Sequence, residues 1–279
     1  MIRIITDSTA DFSLEQAKEL NVGIVPLTVV INGQEYKDRT ELQPEEFYKI
    51  LEEQDVTPTT SQPSPKDFLD VYQPGVDNKD SLIVFTLSSK VSGTYQSANI
   101  AKDLAEYDDI HIIDSLTSIP ALRIVVEKAC ELRDQGKSVQ EIIDFIEVFK
   151  TKVKLYALVD TLEYFYKGGR LSKSSATIGN LLKMKPIISL VDGKLEMVAK
   201  SRGTRKATNK VIELINESGE IDLNEKIYLG YTGSEDKMDK FEAILEEELG
   251  FKGAKHLIIG PAIGTHAGPG AQVIIYVEK

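Results

Sequence analysis

Short runs of β-branched and other apolar residues alternate along this chain with amphipathic stretches of helical period, and that alternation narrows the possible folds more than any other feature. It predicts an α/β architecture with a largely parallel sheet, because parallel strands are joined through crossover helices. The strand candidates are residues 2–6, 22–31, 82–87, 110–114, 153–159, 186–191, 194–199, 226–231, 256–259 and 272–277. Helix starts are marked by Ser13 with Gln16, Ser64 with Pro65 and Asp67, and Ser138 with Glu141, each a hydroxyl three residues ahead of an acceptor side chain. Asp192-Gly193 tolerates positive φ and predicts a tight hairpin between two alternating strands, which gives the second half antiparallel character. A length of 279 residues suits about two domains. With Lys167-Gly-Gly-Arg as flexible punctuation, the expected division is an N-terminal α/β domain over 1–160 with a largely parallel sheet and a C-terminal α/β domain over 161–279 with a mixed sheet.

Charge and cysteine usage exclude several classes. Lys and Arg number 33 against 44 Asp and Glu, a net charge of −11, so the field of the whole protein repels nucleic acid and limits contact with anionic membranes to the transient. The single cysteine, Cys130, lies inside the apolar pattern Val125-Val-Glu-Lys-Ala-Cys-Glu-Leu and reads as a small buried hydrophobe in a reducing compartment. Met1-Ile-Arg-Ile-Ile-Thr-Asp-Ser reads as strand and turn without an export signal, and no apolar run approaches the roughly 20 residues of a membrane span. The expectation is a soluble, cytoplasmic protein.

Three segments cluster hydroxyls, Gly and Pro where strand meets helix. Thr57-Pro-Thr-Thr-Ser-Gln-Pro-Ser-Pro is too polar for a core and too rich in proline for a regular element; it reads as a surface loop capping a helix or as a set of donors. Ser88-Ser-Lys-Val-Ser-Gly-Thr-Tyr-Gln-Ser-Ala follows an apolar strand in the layout of an anion site, with an ordinary loop capped by Ser92 as the other reading. It has neither the P-loop nor the dinucleotide spacing, so ATP and NAD are poor ligands for it. Gly260-Pro-Ala-Ile-Gly-Thr-His-Ala-Gly-Pro-Gly-Ala reads as a rigid loop around His266, whereas His111 and His256 lie in strand patterns and read as structural. No Cys or second His stands at metal-ligand spacing, so no metal is expected.

A serine hydrolase would need a nucleophile elbow, and no GxSxG is present. Thr161-Leu-Glu-Tyr-Phe-Tyr-Lys-Gly-Gly-Arg-Leu-Ser combines an aromatic turn with Arg170, whose guanidinium suits either solvent or an anion. Lys200-Ser-Arg-Gly-Thr-Arg-Lys-Ala, with Arg202 and Arg205, is a local basic cluster: either a helix start with exposed cations or a patch facing a partner or a phosphate.

Taken together, Ile5-Thr-Asp-Ser-Thr-Ala-Asp, Thr60-Ser-Gln-Pro-Ser-Pro, Ser92-Gly-Thr-Tyr-Gln-Ser-Ala, Asp160-Thr-Leu-Glu-Tyr with Gly168-Gly-Arg, and the Gly260 segment resemble the DegV family over the whole chain, in particular its fatty-acid-binding subunits of bacterial fatty acid kinase. The resemblance implies two α/β domains and an apolar tunnel near their junction that holds a long-chain fatty acid, with no other cofactor. It implies Thr60, Ser61, Ser92, Gly93 and His266 around the carboxyl group, and Arg170 and Arg202 as basic positions facing a partner or a phosphate. It implies no catalysis by this chain alone: a separate ATP-dependent kinase subunit would form the acyl phosphate for phospholipid synthesis. The competing class is a self-sufficient esterase or thioesterase using Ser92 and His266. Leu162, Phe165, Leu181, Ile187 and Ile263 are candidates for the tunnel wall. Leu116-Thr-Ser-Ile-Pro-Ala-Leu departs from the family's glycine-rich stretch, and Ile119 and Pro120 are expected to reshape the tunnel.

Overall fold

The structure, a computed structural model, describes residues 1–171 and 184–279, apart from the side chain of Ile119. In the first half, β1 (Ile2–Asp7), β2 (Val22–Val25), α1 (Leu14–Glu19), α2 (Pro44–Glu53) and α3 (Pro65–Asp77) are joined by β3 (Thr28–Ile31), β4 (Gln34–Lys37) and β5 (Thr59–Ser61). They are followed by β6 (Ser81–Thr86), α4 (Thr94–Ala105), β7 (Ile110–Asp114), α5 (Ile119–Asp134) and α6 (Val139–Lys152). Strands β2-β1-β6-β7 form an all-parallel sheet, while β4-β3-β5 form a small antiparallel one. The stretch 22–31, read as one strand, divides between these two sheets because Pro26 removes a ladder donor and turns the chain. Thr59–Ser61, read as a loop, is strand β5, paired with β3 through Val29 and Thr60.

The second sheet contains β8 (Val153–Leu158), β9 (Met184–Val191), β10 (Lys194–Arg202), β11 (Tyr228–Tyr231), β12 (Lys255–Ile258) and β13 (Gln272–Val277) in the order β10-β9-β8-β13-β11-β12. All its pairs are antiparallel except β11 with β12, so this sheet is mixed, as the hairpin predicts. Its strand β8 lies upstream of residue 160 and is fed directly by α6. The remaining helices are α7 (Glu163–Lys167), α8 (Thr204–Ser218), α9 (Met238–Leu249) and α10 (Pro261–Ala267).

Local chemistry explains the boundaries. Ser13, Ser64 and Ser138 each form the reciprocal capping box with Gln16, Asp67 and Glu141. Asp192 and Gly193 have φ of 48° and 79°, the pair of positive values a two-residue hairpin needs. Ser92 does not cap α4; Gly93 occupies the cap and Ser92 precedes it. Cys130 is buried, and burial pushes its thiol up to about 12. No helix among the described residues is long and apolar enough to cross a membrane.

One core joins the two halves: Ile83 and Phe85 of the parallel sheet and Val125 and Ala129 of α5 share it with Leu155 and Val273 of the mixed sheet. The outer face of the mixed sheet packs on α8 and α9 through Ile187, Val211 and Phe241. The small sheet packs on α2 through Val29, Phe47 and Tyr48, and Ala262 of α10 belongs to that cluster.

Candidate ligand site

A narrow cavity of about 70 Å³ opens where the two halves meet. One wall is the inner face of the mixed sheet: Leu155 and Ala157 on β8 with Val159 just beyond its end, Ile188 and Leu190 on β9, and Val273 on β13. Their alternation with outward residues is the strand period of two. Leu87 and Val91, from the connection after β6, face the cavity from the first half. Of the expected wall residues, Phe165 and Ile263 line it. Leu162 stays in the surrounding core, and Ile187 points to the other face of its strand, into the α8 and α9 layer. Leu181 lies outside the described residues.

The polar groups on its lining are Thr60, Ser92, Ser118, His266 and Arg170. Among the described residues no Asp or Glu lines it, in a chain carrying 44 of them. Thr60 Oγ1 lies 2.8 Å from His266 Nε2, a bond spanning 206 residues. His266 is on α10, which replaces the expected rigid loop: Pro261 supplies the first-turn φ, and Gly268, at φ 70°, terminates the helix. A Cβ at Gly168 would collide with the His266 ring, so Gly168 admits the imidazole, whose Nδ1 is buried without a partner. Burial, assisted by the nearby Arg170 charge, lowers the His266 pKa to about 4 and keeps the ring neutral at pH 7.

Ser92 Oγ is 2.9 Å from Thr94 Oγ1 and accepts from the Thr94 amide at 3.3 Å; His266 is bonded to Thr60 instead. Arg170, exposed on its outer side, donates to the Gly168 carbonyl at 2.6 Å and to the Val91 carbonyl at 3.4 Å, which fixes its guanidinium beside the cavity. Ser61 is exposed, and neither it nor Gly93 lines the cavity. Gly93 instead abuts the Gln62 amide, which donates to Ser97 Oγ at 2.9 Å and ties β5 to α4. Arg202 ends β10 in an exposed position outside the lining, and Arg205 is exposed in the first turn of α8. From the departure at 116–122, Ser118 is the one described side chain that lines the cavity; Pro120 is buried in the start of α5 and does not, and the Ile119 side chain lies outside the described residues. His111 pairs with Asp109, and His256 with Glu235 and Glu242, in keeping with structural roles. Among the described residues no cluster of three His, Cys, Asp or Glu could hold a metal ion.

The profile of the DegV family, described as uncharacterised proteins, matches residues 1–279. The chain belongs to the DegV family. A DegV domain-containing protein of Caldanaerobacter subterraneus subsp. tengcongensis is 37% identical over 279 residues, covering 100% of this chain and 99% of that protein. Among solved structures, a fatty-acid-binding DegV family protein of Thermus thermophilus matches with a TM-score of 0.90 at 30% identity, over 100% of this chain and 99% of its own. DegV of Bacillus subtilis, described as a fatty acid binding protein, matches with a TM-score of 0.87 at 31% identity, over 100% of this chain and 99% of its own.

Proposed function

We propose that this DegV protein holds one long-chain fatty acid in the cavity and presents its carboxylate to a separate ATP-dependent kinase subunit. The observation that carries the reading is the make-up of the cavity wall: it is apolar apart from Thr60, Ser92, Ser118, His266 and Arg170, and among the described residues no carboxylate lines it. Each buried methylene contributes about 0.8 kcal/mol. An acyl chain supplies that along its length, while its headgroup needs donors at one end because an unpaired buried carboxylate is prohibitively costly. In the Nε2–H tautomer, His266 donates to Thr60 Oγ1 and leaves the Thr60 hydroxyl hydrogen free for the ligand. The fatty-acid-binding relatives of Thermus thermophilus and Bacillus subtilis support the same ligand class.

The chain carries no phosphate-binding motif of the P-loop type, so ATP comes with the partner. A carboxylate oxygen then attacks the γ-phosphorus, the bond to the β-bridging oxygen breaks, and ADP leaves. The acyl phosphate serves phospholipid synthesis in the cytoplasm. Exposed Arg202 and Arg205 suit the docking of an acidic partner surface.

Denaturing extraction and mass spectrometry test the ligand: stoichiometric fatty acid is expected, and an empty polypeptide even after fatty-acid supply refutes the reading. Hydroxamate trapping of acyl phosphate tests the handover, with product expected only when both proteins and ATP are present. Arg202→Glu should lower that yield about fivefold while lipid retention holds. Multiple turnovers of an ester substrate by this chain alone would establish the esterase class instead.

A further inference from the structure

The motif Ile5-Thr-Asp-Ser-Thr-Ala-Asp takes no part in the cavity, yet it builds a buried charge cluster at the other end of α10. Asp11 is 3% exposed and Asp38 1%. Asp11 Oδ1 accepts from Arg39 Nε at 2.8 Å and from the Gly260 amide at 3.0 Å. Asp38 Oδ1 accepts from the Ala262 amide at 3.2 Å. Arg39 Nη2 donates to the Ile258 carbonyl at 2.6 Å, and the Tyr48 hydroxyl donates to the Ile259 carbonyl at 2.9 Å. Residues 258–262 are thus gripped from the first half of the chain just where α10 begins.

Helix α10 needs that grip. Seven residues are too few to hold a helix by themselves in water. Its cap, Gly260, has no side chain to offer, and Pro261 has no amide hydrogen. The Gly260 and Ala262 amides at its start are met by two carboxyl groups from elsewhere in the chain, at the end of the helix dipole that favours negative charge. The same small sheet also holds Thr60: β5 pairs with β3, and the Asp38 amide donates to the Leu27 carbonyl at the start of β3. Both partners of the Thr60–His266 hydrogen bond therefore hang from one body, Thr60 through the ladder and His266 through the anchored helix.

We infer that Asp11 and Asp38 are positioning residues for His266: by capping α10 from the small sheet they hold the imidazole against Thr60, a role that rests on the carboxyl-site reading above. They touch no ligand. Their removal should cost recognition of the headgroup and leave recognition of the acyl chain nearly intact.

The experiment compares the affinities of palmitate and hexadecanol for the full-length protein. Asp38→Ala should weaken palmitate about tenfold and hexadecanol less than about twofold. Asp38→Asn, which keeps an acceptor for the Ala262 amide, should recover most of the loss. Combined with His266→Ala, Asp38→Ala should add nothing, because a residue acting through His266 is silent without it. Equal weakening of both ligands, or a loss that adds to that of His266→Ala, overturns the inference. Should Asp38→Ala fail to fold, Gly260→Ala takes its place: a Cβ there would stand 2.6 Å from Asp11 Oδ1 and pry the helix from its anchor. A wild-type protein that binds neither ligand refutes the fatty-acid reading instead. The inference is then read from the His266 imidazole by NMR in ligand-free protein: Asp38→Ala should shift its signals toward those of a solvated ring, and unshifted signals overturn it.

Discussion

The two ends of α10 bury opposite kinds of titratable group. At its start, the buried carboxylates of Asp11 and Asp38 lie beside Arg39 and meet backbone amides. At its far end, His266 is neutral, bonded to a hydroxyl, and close to the Arg170 cation, with no acid on the cavity wall among the described residues. In a chain of net charge −11 the exclusion of acids from the cavity is a selective arrangement, and it suits an anionic headgroup. Seven residues separate an end that buries acids of its own from an end whose cavity wall carries none among the described residues.

The largest effect should come from making the two ends alike. Thr60→Asp sets a carboxylate where the headgroup is expected, and two like charges about 4 Å apart at an effective dielectric near 20 repel by about 4 kcal/mol. Palmitate affinity should fall about a thousandfold, with hexadecanol far less affected; calorimetric titration of both ligands checks this, and equal losses would mean that the headgroup binds elsewhere. Smaller losses should follow from removing donors one at a time. Thr60→Ala, Ser92→Ala and His266→Ala should each weaken palmitate by about 1–3 kcal/mol, as expected for a hydrogen bond to a buried charged group. Unchanged affinity in all three, with folding intact, would take these polar groups out of ligand recognition.

The same contrast shows what the sequence makes legible. Period and caps carry most of the fold, since Ser13, Ser64 and Ser138 cap helices through contacts three residues away. The hairpin at Asp192-Gly193 is equally local. The motif segments around Thr60, Ser92 and His266 stand out by composition, and the fold brings all three to one cavity wall. What stayed hidden depends on distant pairing. Thr59–Ser61 is a strand only because β3 offers it a ladder, and the Gly260 segment is a helix because Asp11 and Asp38 cap it from more than 200 residues away. Asp11 belongs to a motif visible in the sequence, but nothing local joins it to Arg39 or Gly260. Asp38 and Arg39 lie in none of the motif segments, and Gln62 lies in one without anything local joining it to Ser97. Ile187 and Ile188 differ only in which face of β9 they occupy, and that phase is set by the partner strands.

The smallest effect is a slope, and it has opposite sign at the two ends. Burial raises the Asp38 carboxyl to about 7, and that of Asp7 nearby to about 6, from an ordinary 3.8. Between about pH 4 and 7 the folded protein keeps an Asp38 proton that the unfolded chain has released, so this group lowers stability as pH rises through that window. Asp38→Asn cannot lose the proton. Relative to wild type it should therefore gain stability from pH 4 to 7 and run parallel above. His266 behaves in reverse: its folded pKa of about 4 lies below the unfolded 6.5, so the unfolded chain binds the extra proton and stability falls as pH drops through that interval. His266→Gln should gain on wild type as pH falls from about 6.5 to 4. Each slope is bounded by about 1.4 kcal/mol per pH unit. Urea unfolding midpoints of the three proteins between pH 4 and 8 make the comparison. Because Asp7 titrates in all three, only differences from wild type count, and difference curves that slope the same way for the two variants would show that burial does not hold both the acid and the imidazole in their neutral forms.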